Sequence, residues 1–145
     1  GNNVFNSWLS FASRIPFNLT LVCPPGYEAD ADLVAAAQAS GAGEIAVTND
    51  IEGGLRDADA VYTDVWASMG QESEQKDRKE KFIKYQVNSE IMACAKSNAL
   101  FMHCLPAHRD EEVTEEILEG QQSVVWEEAG NRLHSSKALL EFLLN

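Results

Sequence analysis

Cysteine is sparse and unpatterned: Cys23, Cys94 and Cys104 are the only three in 145 residues, with no CxxC spacing and no neighbouring grid of histidines. Neither a disulfide framework nor a structural zinc site is expected from them, and a reducing compartment is favoured. Basic residues are scarce as well, 11 Lys and Arg against 23 Asp and Glu, for a formal net charge of −12. The average field of such a chain repels phosphate backbones and anionic lipid surfaces, so neither nucleic acid nor membrane is an expected partner. No apolar run approaches the roughly 18 residues of a membrane span, and GNNVFNSW lacks the basic, apolar, small-residue order of a signal peptide. A soluble cytoplasmic protein is the expectation. Repeats, low-complexity stretches and a dividing linker are missing too. What is present, 45% hydrophobic and 23% charged residues, suits one packed globular domain.

Apolar spacing predicts a helix from Asn3 to Ile15, stopped by Pro16. A β-rich run, Leu19 to Cys23, ends at Pro24, Pro25 and Gly26; Asp30 or Asp32 then caps a helix that closes at Gly41. Glu44 to Thr48 reads as a strand, a short helix begins near Asp50, and Ala60 to Thr63 is another strand ending at Asp64. The mixed-charge stretch Glu72 to Lys84 reads as a solvated helix. Asn88 caps a helix through Ala95, ahead of the strand Ala99 to His103. Thr114 caps a short helix ending at Gly120, Ser123 to Trp126 is a last strand, and a final helix runs from about Ala129. This alternation predicts an α/β fold: a doubly wound, mainly parallel sheet with helices on both faces, Rossmann-like.

In such sheets ligands bind beyond the carboxyl ends of the strands. The segments there are polar: DVWASMGQ from Asp64, HCLPAHR from His103 and EEAGNRLH from Glu127, with GNN at Gly1 as a fourth candidate. Each alone is open to a structural reading. Asp64 and Asn3 fit ordinary helix caps, His103 a satisfied core histidine, Arg132 a surface cation, and Cys104 a small buried hydrophobe. A dinucleotide loop does not fit, because GNNVFN lacks GxGxxG.

The combination is more specific. DVWASMGQ, YQVN at Tyr85 to Asn88, HCLP at His103 to Pro106 and NRLH at Asn131 to His134 occur in the order seen in ornithine carbamoyltransferases, and the chain resembles the second, ornithine-binding domain of that family. The likeness spans essentially the whole chain, including GNN and the TND of Thr48 to Asp50. Aspartate carbamoyltransferases share the fold but carry Pro where Cys104 stands, and the SMG of Ser68 to Gly70 marks the ornithine enzymes. The resemblance implies that Asn3, Asp64, Ser68 and the backbone at Met69 hold the α-amino and α-carboxylate groups of ornithine. A carboxylate suits an ammonium, and an amide, a hydroxyl and a loop N–H suit a carboxylate. It further places Cys104 and Arg132 as catalytic residues, with Cys104, Leu105 and Arg132 contacting carbamoyl phosphate and a cis bond between Leu105 and Pro106. The implied reaction is transfer of the carbamoyl group to the δ-amine of ornithine, giving citrulline and phosphate in arginine biosynthesis, with no metal and no cofactor. Cys104, with Asp64 nearby, is the implied proton acceptor.

Three features depart from that pattern. The Ser-Thr-Arg-Thr phosphate-binding motif of the family's preceding domain does not occur in the 145 residues, so half an enzyme is expected, partnered by an N-terminal carbamoyl phosphate domain. Through that domain relatives assemble as trimers, and the strand that leads into GNN there is not part of this sequence, so the sheet is expected to lack its first strand. Gly130 stands where relatives usually carry an acidic residue, which implies a looser loop around Arg132. Finally, Leu133, Leu139, Leu140, Phe142, Leu143 and Leu144 make the terminal helix apolar around much of its girth, and an exposed, self-associating patch is expected. A stand-alone amino-acid-binding or regulatory module, another transcarbamylase of related specificity, and a purely structural interaction domain remain as alternatives.

Overall fold

A computed structural model describes residues 1–41, 43–67 and 75–145. The structure comprises two compact units, Gly1–Arg56 and Asp57–Asn145.

The first unit runs α1 (Asn3–Ala12), β1 (Leu19–Val22), α2 (Ala31–Ala39), β2 (Ile45–Thr48) and α3 (Ile51–Leu55). Asn2 caps α1 by accepting the Phe5 N–H, and Phe5, Leu9 and Ala12 recur on its buried face. That helix is shorter than its apolar pattern predicts. It gives way at Ser13 to tight turns through Ile15, because residues just ahead of Pro16 avoid helical backbone. Phe5, Leu9 and Ala12 pack with Ala37 of α2 and Ile45 of β2, flanked by Phe17, Leu19 and Leu21. β1 and β2 pair in parallel from Leu19 opposite Ile45 to Val22 opposite Thr48. Asp30 caps α2, whose end is turned by Gly41 in the left-handed region at φ +68°. Asp50 caps α3, which lies close on the strands: a β-carbon added at Gly54 would come within 2.5 Å of Val22 Cγ2.

The second unit holds β3 (Ala60–Thr63), α4 (Gln75–Phe82), a 3-10 turn (Ile83–Tyr85), α5 (Ser89–Ala93), β4 (Leu100–His103), α6 (Glu115–Leu118) and α7 (Val125–Leu144). β3 and β4 are parallel, registered from Ala60 opposite Leu100 to Thr63 opposite His103. Phe101 of β4 is fully buried, paired with Val61 of β3 and bridged to Ser123 ahead of α7, with Val61, Val113, Leu118 and Val125 also buried in this unit. Asn88 caps α5 as its residue type predicts, and the helix stops at Ala93 rather than Ala95. Part of the charged helix expected over Glu72 to Lys84 appears as α4; residues 72–74 lie outside the described residues.

The predicted strand from Ser123 to Trp126 is overturned. Phe101 N–H donates to Gln122 O and Val124 N–H to Phe101 O, but the pairing stops at one bridge. The chain then turns into helix, Glu128 N–H donating to Val124 O at 2.8 Å. Val124, Val125 and Trp126 are good strand formers, yet a short apolar run fits a buried helix start equally well. In consequence EEAGNRLH is not a loop: Gly130, Asn131 and Arg132 all lie inside α7. The looseness expected from Gly130 becomes a helical weak point, since glycine costs about 1 kcal/mol relative to alanine there.

Candidate active site

Both strands of the second unit end in polar residues, and their register decides which ones meet. Thr63 lies opposite His103, so the next residue of each chain, Asp64 and Cys104, emerges at the same level beyond the sheet. Cys104 Sγ donates to Asp64 Oδ1 at 3.1 Å. The same oxygen accepts the Val65 N–H at 2.8 Å. Burial, then the hydrogen bond to Asp64 and its negative charge, push the Cys104 thiol up to about 11, and the hydrogen bond that the Tyr62 hydroxyl can offer a thiolate works the other way. At neutral pH the group is therefore a thiol that donates, not a standing thiolate.

Tyr62 sits two residues before Asp64 and shares its face of β3. Its hydroxyl donates to Glu128 Oε1 at 3.1 Å, and Glu128 Oε2 accepts the His103 N–H at 3.2 Å. Burial, followed by the charges of Cys104 and Glu128, drives the Tyr62 phenol well above its ordinary range. One carboxylate on α7 thus ties β3 to the end of β4.

Beneath the HCLP turn lies a second network. The His103 ring is buried; Leu105 N–H donates to its Nδ1 at 2.9 Å, so the ring hydrogen is on Nε2, which donates to Glu112 Oε1 at 3.2 Å. His108 N–H donates to the same oxygen at 2.6 Å. Glu112 is wholly buried, which by itself would raise its carboxyl. The hydrogen bonds from the His103 ring, from His108 N–H and from its own N–H outweigh that and hold it below the usual carboxylate range. Leu105 itself has φ +55°, rare for a branched residue, and the Leu105–Pro106 bond is cis, as the resemblance implies. The only His, Cys and carboxylate group close enough to hold a cation among the described residues is His108, Glu111 and Glu112. Glu111 Oε1 pairs with Lys79 at 3.0 Å and Glu112 Oε1 takes the two N–H donors above, while Glu112 Oε2 is buried with no hydrogen-bond partner among the described residues and lies 3.9 Å from His108 Nδ1.

The structure brings Asp64, Cys104 and Leu105 to one place. Arg132 lies in the same unit, exposed on α7, one helical turn beyond Glu128. Asn3 is exposed in the first turn of α1, in the other unit. Ser68 and Met69 lie outside the described residues. Tyr62, Glu112 and Glu128 escaped the reading of the sequence: Glu128 lies within the EEAGNRLH segment but is unmarked among its acids, and Glu112 lies past the end of HCLPAHR.

Residues 1–143 match the family profile described as "Aspartate/ornithine carbamoyltransferase, Asp/Orn binding domain". The chain belongs to this family. An ornithine carbamoyltransferase from Methylococcus capsulatus is 56% identical over 144 residues, covering 99% of this chain and 47% of that protein. Among solved structures, the anabolic ornithine carbamoyltransferase of Campylobacter jejuni superposes with a TM-score of 0.91 at 37% identity, covering 98% of this chain and 48% of that one. The ornithine carbamoyltransferase of Pyrococcus furiosus gives 0.88 at 43% identity, over 97% of this chain and 46% of that one. The chain therefore spans about half the length of the carbamoyltransferases it matches, and it shares their Rossmann-like α/β fold.

Proposed function

We propose that this chain is the ornithine-binding half of an ornithine carbamoyltransferase. The observation that carries the reading is the Cys104–Asp64 pair at the carboxyl ends of two parallel strands, the place where α/β sheets bind ligands. Asp64 offers the negative charge that an amino-acid ammonium needs, and Asn3, Ser68 and the Met69 backbone would complete the hold on ornithine.

In this reading the neutral δ-amine of ornithine attacks the carbonyl carbon of carbamoyl phosphate. A C–N bond forms, the C–O bond to phosphate breaks, the nitrogen loses a proton, and citrulline and phosphate leave. An alkylammonium has a pKa of about 10.4, so the amine must shed a proton before it attacks. A thiol held near 11 matches that value closely, and an ammonium arriving beside it favours the thiolate. On binding, the pair would release one proton to solvent and share the one that remains, Asp64 holding the thiol hydrogen in place until then, and the proton the nitrogen sheds on attack would leave with the phosphate. Arg132 would stabilise the oxygen charge of the tetrahedral intermediate, and Leu105 would contact the carbamoyl phosphate amide. The residues invoked need no metal or organic cofactor for these steps.

The partner implied is a carbamoyl phosphate domain, and through it a homotrimer. A cytoplasmic place in arginine biosynthesis goes with this reading, and three free cysteines suit a reducing compartment. The test is citrulline formation by this chain alone and after fusion to a matching carbamoyl phosphate domain. Turnover only in the fusion is the expected result. Ornithine binding without turnover in either form would instead mark a stand-alone amino-acid-binding module.

A further inference from the structure

The Tyr62 hydroxyl has one hydrogen, and among the described residues Glu128 and Cys104 are the acceptors it serves. That hydrogen is donated to Glu128 Oε1 at 3.1 Å, while Cys104 Sγ, the other group in hydrogen-bonding range, carries its own hydrogen toward Asp64. If the Cys104 hydrogen departs, the sulfur becomes an anion within reach of Asp64 and Tyr62, and of these two side chains Tyr62 is the one with a hydrogen to donate, beside Cys104's own backbone N–H. Glu128 does not swing freely, because its second oxygen accepts the His103 N–H at 3.2 Å. Among the described residues, the charged or titratable groups facing the thiol are Asp64 and Tyr62 from β3 and its end, with Glu128 of α7 behind Tyr62.

We propose that Tyr62 and Glu128 are positioning residues for Cys104: Glu128 holds the Tyr62 hydrogen away from the thiol and releases it to the thiolate, so that Glu128 tunes Cys104 only through Tyr62. No bond other than hydrogen bonds changes in this step; the phenol keeps its proton and turns its O–H from carboxylate to sulfur. The arrangement matters for catalysis under the reading proposed above, but it exists in the chain without turnover and can be tested without it.

The experiment follows the rate of Cys104 alkylation by iodoacetamide against pH, read peptide by peptide, with Cys94 as internal reference and the urea-unfolding midpoint as the check on intact folding. Glu128→Gln removes the strong acceptor and should lower the Cys104 midpoint by about one pH unit, a roughly tenfold faster reaction at a fixed pH below it. Tyr62→Phe removes the donor and should raise the midpoint. The double variant Tyr62→Phe/Glu128→Gln should show no lowering relative to Tyr62→Phe alone. A merely structural role would change the rate at every pH and leave the midpoint where it was, which overturns the proposal. So does an equal effect of Glu128→Gln with and without the Tyr62 hydroxyl. Should Glu128→Gln lose its cooperative urea transition, the variant has opened, and Tyr62→Phe alone decides: an unmoved or lowered alkylation midpoint sinks the idea. None of these outcomes depends on citrulline formation, so failure here is separate from failure of the functional reading.

Discussion

Cys104 donates its thiol hydrogen to Asp64 across 3.1 Å, although the two residues stand 40 positions apart in the chain. The carboxylate is both the counter-charge proposed for an amino-acid ammonium and one cause of the raised thiol. Replacing Asp64 by Asn keeps the shape and removes the charge. Ornithine or norvaline binding, followed by calorimetry, should weaken by about 10- to 100-fold, the worth of a charge-assisted hydrogen bond. In the same variant the Cys104 midpoint should fall from about 11 toward 9.0, because the anion that disfavours the thiolate has gone. An unshifted midpoint would show that the pair is geometric only.

Glu112 is expected to matter for stability rather than for ligand. Its fully buried carboxylate receives the buried His103 ring and the part-buried His108 N–H, so Glu112→Ala leaves both donors without their acceptor. A loss of about 3 kcal/mol is expected, measured by urea unfolding. The pH dependence has a definite sign. The folded carboxyl lies below its ordinary 4.5, so its stabilisation is complete above that value and is lost as pH falls through the folded value. Removing the side chain should flatten that part of the acid limb; an unchanged limb would assign the acid sensitivity elsewhere.

Arg132 shares a face of α7 with Glu128, one turn away, and is exposed toward solvent. In the enzyme fused to its carbamoyl phosphate domain, Arg132→Ala should raise the KM for carbamoyl phosphate or lower kcat by about tenfold or more, with a smaller effect on ornithine. Equal losses for both substrates in steady-state kinetics would count against a role at the transferred group.

The end of α7 presents Leu139, Phe142, Leu143 and Leu144 to solvent, with Phe142 80% and Leu144 83% exposed. Apolar surface in such a run is disfavoured in water, so self-association that deepens with concentration is expected in sedimentation velocity. Phe142→Glu with Leu143→Glu should shift the chain toward monomer while leaving Cys104 alkylation unchanged. Persistence of the same assemblies in that variant would place the contact elsewhere.

Much of this was legible in the residues themselves. Asp30, Asp50 and Asn88 cap the helices where their side chains suggest, and Ala60 to Thr63 is a strand with the bounds its pattern gives. The first turns of α7 were not legible, because Val124 to Trp126 satisfies either strand or buried-helix patterning and only the bond from Glu128 N–H to Val124 O decides between them. The meeting of Asp64 with Cys104 was available from family likeness but not from local pattern, since register between distant strands leaves no mark within either. Glu112 and Glu128 were hidden by company: among 23 acidic residues nothing in the sequence distinguishes the two whose oxygens organise the site.

The ladder between β3 and β4 acts as a ruler. Side chains alternate along a strand, so sliding β4 by a single residue past β3 would turn Cys104 to the opposite face and set either His103 or Leu105 beside Asp64. Helices around the sheet can lengthen, bend or change composition and leave the pairing intact, whereas one inserted or deleted residue inside either four-residue strand would erase it.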